Sequence, residues 1–241
     1  MVATPTAPRR RPSLPRIALL ALVVSAAALA AIASTATAAK LKGSIALTTG
    51  SNSSPYTGSW VRLYQTANPA AYFINPSSPA ADQSYTPLVN GTQGVELNTA
   101  QPLASPPFDG GGNSLTNTIL TPEPFAGVNF SAYVTVNPTK KAKFGKKGLI
   151  LEVGKDKNAT DAITAADFTG WTIAWGGDSK FATPGSTANV DGGNLTGTIT
   201  WTNPSKHNLG GKITLNWSAQ INEPPFQAYT AVWQLQGTYT P

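Results

Sequence analysis

Apolar and polar residues alternate along several short segments of the chain. In residues 128–136, VNFSAYVTV, the apolar side chains fall on one face and Asn, Ser, Tyr and Thr fall on the other. Period-two alternation of this kind is typical of a β-strand with one buried face. The pattern recurs in residues 171–175, 195–201, 212–217 and 229–239, and Gly, Pro and Asn clusters separate the segments. The chain is therefore predicted to be all-β and to form an antiparallel β-sandwich.

Two further segments have other signals. Residues 161–168, DAITAADF, are the one place where we predict a short turn of helix, and the Pro/Ser/Gly-rich residues 75–109 predict ordered loop with short edge strands. Five tryptophans occupy the apolar phase of their strands, which predicts core packing: Trp171, Trp175, Trp201, Trp217 and Trp233. Aromatic residues expected in loops, and thus available for display, are Tyr56, Tyr64, Tyr72, Phe73, Tyr85, Phe108 and Phe181.

Landmarks recur in the same order in residues 40–137 and 148–241. DGGGNSLTNTI at Asp109 returns as DGGNLTGTI at Asp191, and EPF at Glu123 returns as EPPF at Glu223. The spacings between landmarks differ, so turns and strands of similar composition are the alternative explanation. The hypothesis is a duplication, with two structurally similar halves joined by the Lys-rich residues 138–147.

The first 39 residues have the order of a secretory signal peptide. Four arginines precede an uncharged apolar run at residues 17–33, and the small residues STATAA follow. The alternative is a retained membrane anchor, although the run is short for a stable span. We therefore predict a leader at 1–39, a secreted or cell-envelope domain at 40–241, and no transmembrane span after cleavage.

Removal of the leader changes the charge of the chain. One arginine and 12 lysines remain against 11 acidic residues, which gives a net charge of about +2. A nucleic-acid partner is not expected, because such proteins need a concentrated positive surface. The chain has no cysteine, so the exported domain has no disulfide, which favours a bacterial source.

Candidate metal and nucleophile sites are sparse. Asp109 and Asp191, each followed by glycines and an asparagine, offer oxygen ligands to a cation such as Ca²⁺, but Asp-Gly sequences are also typical of tight turns. We favour the turn. His207 is the only histidine, and no nucleophile-elbow motif accompanies it. No cofactor is expected.

Two glutamates are the candidate acid/base pair. Glu123 and Glu223 each precede a proline and occupy matching positions in the two halves. Glycoside hydrolysis needs two carboxyl groups facing one another across a cleft. Turn positions before a core phenylalanine are the preferred interpretation.

Five lysines make the one local concentration of charge: Lys140, Lys141, Lys143, Lys146 and Lys147. They are candidates for contact with a polyanion. A solvated linker, or an edge that blocks aggregation, is the alternative that we prefer.

These patterns predict a secreted or cell-surface protein without enzymatic activity, with a structural role or a role in binding a cell-envelope polymer or a protein. The alternative is an extracellular hydrolase or carbohydrate-active domain that uses sparse Asp and Glu residues. A third alternative is a barrel that holds a small ligand in a cavity lined by tryptophans.

Overall fold

Side chains that alternate between apolar and polar in the sequence alternate between buried and exposed in the strands. In the segment GKITLNWSAQ, for example, every second side chain is buried, from Gly211 to Ala219. The computed structural model describes residues 38–135, 148–154, 158–177, 179–182, 195–206 and 209–241. Within these ranges it contains antiparallel sheets and no α-helix, which confirms the predicted all-β class.

Two sheets contain all the strands of the described residues. The larger sheet consists of β1 (Ala39–Lys40), β2 (Gly43–Leu47), β3 (Trp60–Gln65), β4 (Asn68–Tyr72), β5 (Thr86–Pro87), β6 (Val95–Leu97), β9 (Ile150–Val153), β10 (Thr160–Asp167), β13 (Thr196–Trp201), β14 (Gly211–Gln220) and β15 (Tyr229–Thr240). The smaller sheet consists of β7 (Glu123–Phe125), β8 (Val128–Val134), β11 (Trp171–Trp175) and β12 (Ser179–Ala182), in the order β12-β11-β8-β7.

Strand β15 is the centre of the larger sheet. It pairs with β14 along ten residues, from Thr230 to Tyr239. On its other side it pairs with β3 through residues 229–234 and with β2 through residues 237–240. The full order is β1-β9-β10-β13-β14-β15-β2-β6, and β3 carries β4 and β5 on its outer side. Strands β4 and β5 and the loops that join them are therefore located next to β3, at an edge of the larger sheet.

The two ends of the larger sheet meet at Asn98. Its backbone N–H donates to the Leu149 carbonyl (2.7 Å), next to a bridge between Leu97 and Leu149. Its side-chain amide donates to the Leu41 carbonyl (2.7 Å). The backbone of Asn98 has a φ of 62°, a left-handed conformation that Asn tolerates better than most residues.

The smaller sheet packs on the larger through an aromatic core. Trp217 and Trp233 stack with ring centroids 5.7 Å apart, and Trp171 of the smaller sheet meets both edge-on at 5.5 Å. Trp201 is also buried, and Trp175 is half-buried against Phe226. Core packing of the five tryptophans is therefore confirmed.

The helix prediction for residues 161–168 is wrong. Residues 160–167 form strand β10, which pairs with β13 and β9. Asp161 is buried in this strand. Its carboxylate accepts hydrogen bonds from the Trp201 indole (2.6 Å) and the Asn158 amide (2.9 Å), which compensate for the loss of water. Pairing on both sides of the strand outweighs the local helical preference of its alanines.

The two predicted halves contribute strands to the same sheets. Strands β7 and β8 of the first half share the smaller sheet with β11 and β12 of the second, and the larger sheet also contains strands of both halves. Residues 36–241 form one compact unit. The duplication itself stays a prediction.

Some predicted features lie outside the described residues, namely positions 1–37 of the leader and the Lys-rich segment 138–147. Strand β1 begins at Ala39, which pairs with Val153. The described part of the chain contains no helix with the length and apolar character needed to cross a membrane.

Candidate functional site: an aromatic surface around Arg62

The outward face of β3 carries large side chains that the core does not use. Val61 and Leu63 point inward and are buried, whereas Trp60, Arg62 and Tyr64 alternate with them and point outward. All three outward side chains are half-buried. An aromatic residue, a cation and another aromatic residue therefore follow one another on the solvent side of the sheet.

Arg62 lies against two tyrosine rings. Its guanidinium carbon is 3.5 Å from the ring centroid of Tyr72 and 4.2 Å from that of Tyr85. One terminal nitrogen donates to the Tyr85 hydroxyl (2.7 Å), and the other lies 3.4 Å from the Ser84 hydroxyl. These contacts fix the guanidinium group, since a cation over an aromatic face contributes about 0.5–2 kcal/mol.

Tyr85 links Arg62 to two more aromatic rings. Tyr56 stacks on it, with centroids 4.1 Å apart and ring planes at 10°. Trp60 meets it edge-on at 5.0 Å and 82°. We call the side chains of Tyr56, Trp60, Arg62, Tyr72 and Tyr85 the Arg62 surface. Tyr72 is 40% exposed and the other four are half-buried, so part of each side chain is within reach of a partner.

The loop that supplies Tyr85 is held by a buried asparagine. The side-chain amide of Asn75 donates to the Thr86 hydroxyl and the Pro124 carbonyl, both at 3.0 Å. Its side-chain oxygen accepts from the backbone N–H groups of Ser77 (3.2 Å) and Ala126 (3.0 Å). Because four hydrogen bonds fix this side chain, the Arg62 surface has a rigid support, which lowers the entropic cost of binding.

One carboxylate lies near the cation. The backbone N–H of Ser84 lowers the pKa of Asp82, and the Ser84 side chain and the positive charge of Arg62 lower it further. The backbone N–H of Asp82 donates to the Tyr56 hydroxyl (2.7 Å). Asp82 thus remains ionised at neutral pH and helps to hold the ring of Tyr56.

Of the aromatic residues predicted for display, the structure brings Tyr56, Tyr72 and Tyr85 together. Tyr64 lies in β3 and Tyr72 in β4, so the expectation that they occupy loops is wrong. Phe73 instead packs on the core, with its ring 5.3 Å from that of Phe125. Phe108 lies outside the strands and forms an isolated bridge with Ser114. The side chain of Phe181 lies outside the described residues.

The two candidate glutamates occupy different environments. Glu123 is 8% exposed in β7, and its carboxyl oxygen accepts from the Val89 N–H (3.2 Å). Burial raises the pKa of Glu123 to about 7. Glu223 is exposed in the turn between β14 and β15, where its carbonyl accepts from Phe226. The carboxyl group of Glu123 is buried, and that of Glu223 is exposed to solvent.

Asp109 acts as a turn residue. One of its oxygens accepts from the N–H groups of Gly111 (2.8 Å) and Asn113 (2.9 Å), and the other accepts from the Asn113 amide (2.9 Å). These hydrogen bonds lower the pKa of Asp109, the Asn113 side chain most strongly. The described residues contain no group of three or more metal-ligating side chains. Asp191, His207 and the five lysines of residues 140–147 lie outside the described residues.

A cavity of about 40 Å³ lies between the two sheets. Its walls are apolar and are formed by Val61, Leu63, Phe125, Phe130, Ile173, Trp175, Ile221, Phe226, Ala231 and Trp233. Pockets for drug-sized ligands have volumes of about 300–1,000 Å³. This cavity is far smaller, so it does not support the small-ligand alternative.

Two residues of the Arg62 surface, Trp60 and Arg62, are not among the candidate site residues that the sequence predicts. The alternation in WVRLYQ could have identified them, because Val61 and Leu63 fall on the apolar face of the strand and Trp60 and Arg62 fall on the opposite face. Arg62 is also the single arginine beyond the predicted leader. The contacts with Tyr56 and Tyr85 depend on loop geometry, which the sequence pattern does not specify.

Comparison with known proteins gives no relative. No family model, no curated protein and no solved structure matches the chain. The Arg62 surface therefore has to be interpreted from its own chemistry.

Proposed function

We propose that this protein is an exported binding protein without catalytic activity, and that the Arg62 surface is its binding site. The observation that carries the proposal is the guanidinium of Arg62 held against Tyr72 and Tyr85 on the solvent side of β3. The partner is a polymer or a protein of the cell envelope, in accord with the predicted leader.

The composition of the surface supports a binding role. Trp, Tyr and Arg are the residues that most often contribute the largest share of binding energy at protein interfaces. Tyrosine also combines a flat apolar ring with a polar hydroxyl, and it loses little side-chain entropy on binding. Three tyrosines, a tryptophan and an arginine in mutual contact fit this description.

The alternative, a hydrolase that uses Glu123 and Glu223, has less support. Glu123 is buried beside Val89, and Glu223 is exposed in a turn. Retaining and inverting glycosidases both need their two carboxyl groups on either side of the scissile bond.

The proposal is tested with Tyr72→Ala and Arg62→Gln in a pull-down against insoluble polysaccharides and cell-wall fractions. We expect the wild-type protein to be retained by at least one fraction and both variants to bind it at least tenfold more weakly. Leu209→Ala and Lys206→Gln are matched controls, because both side chains are exposed and lie outside the Arg62 surface. Retention of the two test variants at the wild-type level would contradict the proposal.

A further inference from the structure

A row of uncharged polar side chains continues from Trp60 across the outer face of the larger sheet. Trp60 pairs with Gln234 of β15, Gln234 pairs with Asn216 of β14, and Asn216 pairs with Thr196 of β13. Directly paired residues in antiparallel strands point to the same side, so the four side chains form one row. Neighbouring strands lie about 4.8 Å apart, which makes the row about 14 Å long.

Two parallel rows on the same face repeat this chemistry. Their members on β15, β14 and β13 are Gln236, Thr214 and Thr198 in one row, and Thr238, Lys212 and Thr200 in the next. Lys212 is the one charged residue among them, and its ammonium group donates to the Thr238 hydroxyl (2.9 Å). Solvated sheet faces usually carry lysines and glutamates in larger numbers. This face instead offers hydroxyl and amide groups with little charge.

The loop before β3 fixes the amides nearest to the Arg62 surface. The side chain of Gln234 donates to the Gly58 carbonyl (3.0 Å), and the side-chain oxygen of Gln236 accepts from the Gly58 N–H (2.9 Å). The loop that leads into Trp60 thereby orients both amides before any ligand arrives. Orientation in the free protein reduces the entropy lost on binding.

We propose that the Arg62 surface and the row Gln234–Asn216–Thr196 form one extended site for a neutral polysaccharide, whose chain runs across the strands. This inference rests on the proposed binding function and specifies its partner. Sugar rings have an apolar face that fits an aromatic ring and hydroxyl groups that both donate and accept hydrogen bonds. Along the row, Asn and Gln amides and the Thr hydroxyl supply both kinds of partner.

An anionic chain is a poorer fit to these residues. Its carboxylate or sulfate groups need cations, preferably in bidentate contact with arginine. The guanidinium of Arg62 already contacts tyrosine rings and donates a hydrogen bond to the Tyr85 hydroxyl, and the ammonium group of Lys212 donates a hydrogen bond to Thr238. Neither cation is therefore free to form a bidentate contact with an anionic group. Binding of a neutral chain is also expected to be insensitive to salt, because ionic screening weakens only charged contacts.

The experiment measures affinities for soluble neutral polysaccharides (xylan, glucomannan, mixed-linkage β-glucan) and their oligosaccharides of increasing length, with polygalacturonate and hyaluronan as anionic probes. The test variant combines Asn216→Ala with Thr196→Ala, which lie two and three strands from Trp60. Gln93→Ala with Asn117→Ala is the matched control, since both are exposed polar residues outside the larger sheet. Thermal unfolding verifies that each variant is folded.

We expect the wild type to bind a neutral polysaccharide more tightly as the chain lengthens, with less than a twofold change between low and high salt. The Asn216/Thr196 variant should lose at least tenfold in affinity for long chains and keep its affinity for the shortest oligosaccharides. Wild-type affinity of this variant for long chains would overturn the inference and leave the proposed function standing. Binding of anionic polymers alone, or of none of the probes, would also overturn it. Failure of the proposed function is recognised separately, by unchanged binding in Tyr72→Ala.

Discussion

At the scale of the residue, Arg62 contributes geometry as well as charge. Its flat guanidinium group lies over two tyrosine rings and donates to a hydroxyl at the same time. Lysine cannot reproduce this, because its ammonium group is compact and strongly hydrated. The requirement is thus for arginine, not for a positive side chain in general.

The first prediction concerns Arg62→Lys. The substitution keeps the charge but loses the stacking on Tyr72 and Tyr85, so the free energy of unfolding should fall by about 1 kcal/mol. Urea unfolding at neutral pH measures the change. Lys206→Arg, at an exposed turn position, is the control and should leave the stability within about 0.5 kcal/mol of wild type. An Arg62→Lys protein as stable as wild type would show that the stacking contributes nothing.

The second prediction concerns Glu123, whose pKa is raised to about 7 in the folded protein from an ordinary value of 4.5. The folded state binds this proton more tightly than the unfolded state, so the stability from this group is fully present below pH 4.5 and is lost as the pH rises through 7. Glu123→Gln removes the titration. Relative to wild type, the variant should gain about 1–2 kcal/mol between pH 4.5 and pH 8, a figure reduced for partial screening by solvent.

Denaturant unfolding of wild type and Glu123→Gln across that pH range measures the gain. Glu223→Gln is the matched control, because Glu223 also precedes a proline but is exposed. A constant difference between wild type and Glu123→Gln at all pH values would show that Glu123 does not titrate in this window.

At the scale of the element, the closure of the larger sheet depends on Asn98. Asn98→Ala removes the hydrogen bond from the side-chain amide to the Leu41 carbonyl and places alanine at a φ of 62°. We predict a loss of about 1–3 kcal/mol in the free energy of unfolding. Asn98→Gly tolerates the backbone conformation and lacks only the amide, so it should fall between wild type and Asn98→Ala. Chemical denaturation of the three proteins measures the order, and equal stabilities would contradict it.

Strand β1 bears on the end of the predicted leader. Ala39 pairs with Val153 and packs at the edge of the core, and Lys40 pairs with Glu152. Both Ala36-Thr37-Ala38 and Thr37-Ala38-Ala39 have the small residues of a cleavage site. The sequence alone predicts a leader that ends at Ala39, but the pairing of β1 moves the predicted cleavage to the bond after Ala38, because this leaves both pairs of β1 intact. The mass of the exported protein tests this, and a chain that begins at Lys40 would contradict it.

The elements that the sequence predicts best are those with long alternation. Strands β8, β11, β13, β14 and β15 are readable from the alternation of apolar and polar residues. Strand β10 is not readable in this way, because its Asp and Ala residues have no strand preference of their own. Its conformation depends on pairing with β9 and β13 and on the hydrogen bond from Trp201 to Asp161. The sequence likewise predicts one part of the Arg62 surface and not the other. The outward face of β3 follows from its alternation, whereas the placement of Tyr56 and Tyr85 follows from loops.

At the scale of the whole molecule, the low charge is a distinctive property. Charged residues make up 12% of the chain, about half the usual share for a globular domain. The outer face of the larger sheet follows this trend, with threonine, glutamine and asparagine in place of lysine and glutamate. Such a face has hydrogen-bonding capacity without long-range attraction to ions, which suits a neutral partner near the cell envelope.

The molecule also separates its aromatic residues into two groups. Trp171, Trp217 and Trp233 join the two sheets in the core, whereas Trp60 lies on the opposite side of the larger sheet beside Arg62 and Tyr85. The indole N–H of Trp60 is buried and has no hydrogen-bond partner. Because the ring of this tryptophan lies edge-on against Tyr85, a ligand that stacks on the tyrosines of the Arg62 surface should shift its N–H signal.

The most direct test of a binding site at the Arg62 surface is a heteronuclear NMR titration of residues 39–241 with oligosaccharides of xylan, glucomannan and mixed-linkage β-glucan. The account predicts that the indole signal of Trp60 and the backbone signals of β3 and β4 change, while the indole signals of Trp171, Trp217 and Trp233 stay in place. Saturable changes confined to residues away from β3, β4 and Tyr85 would contradict it.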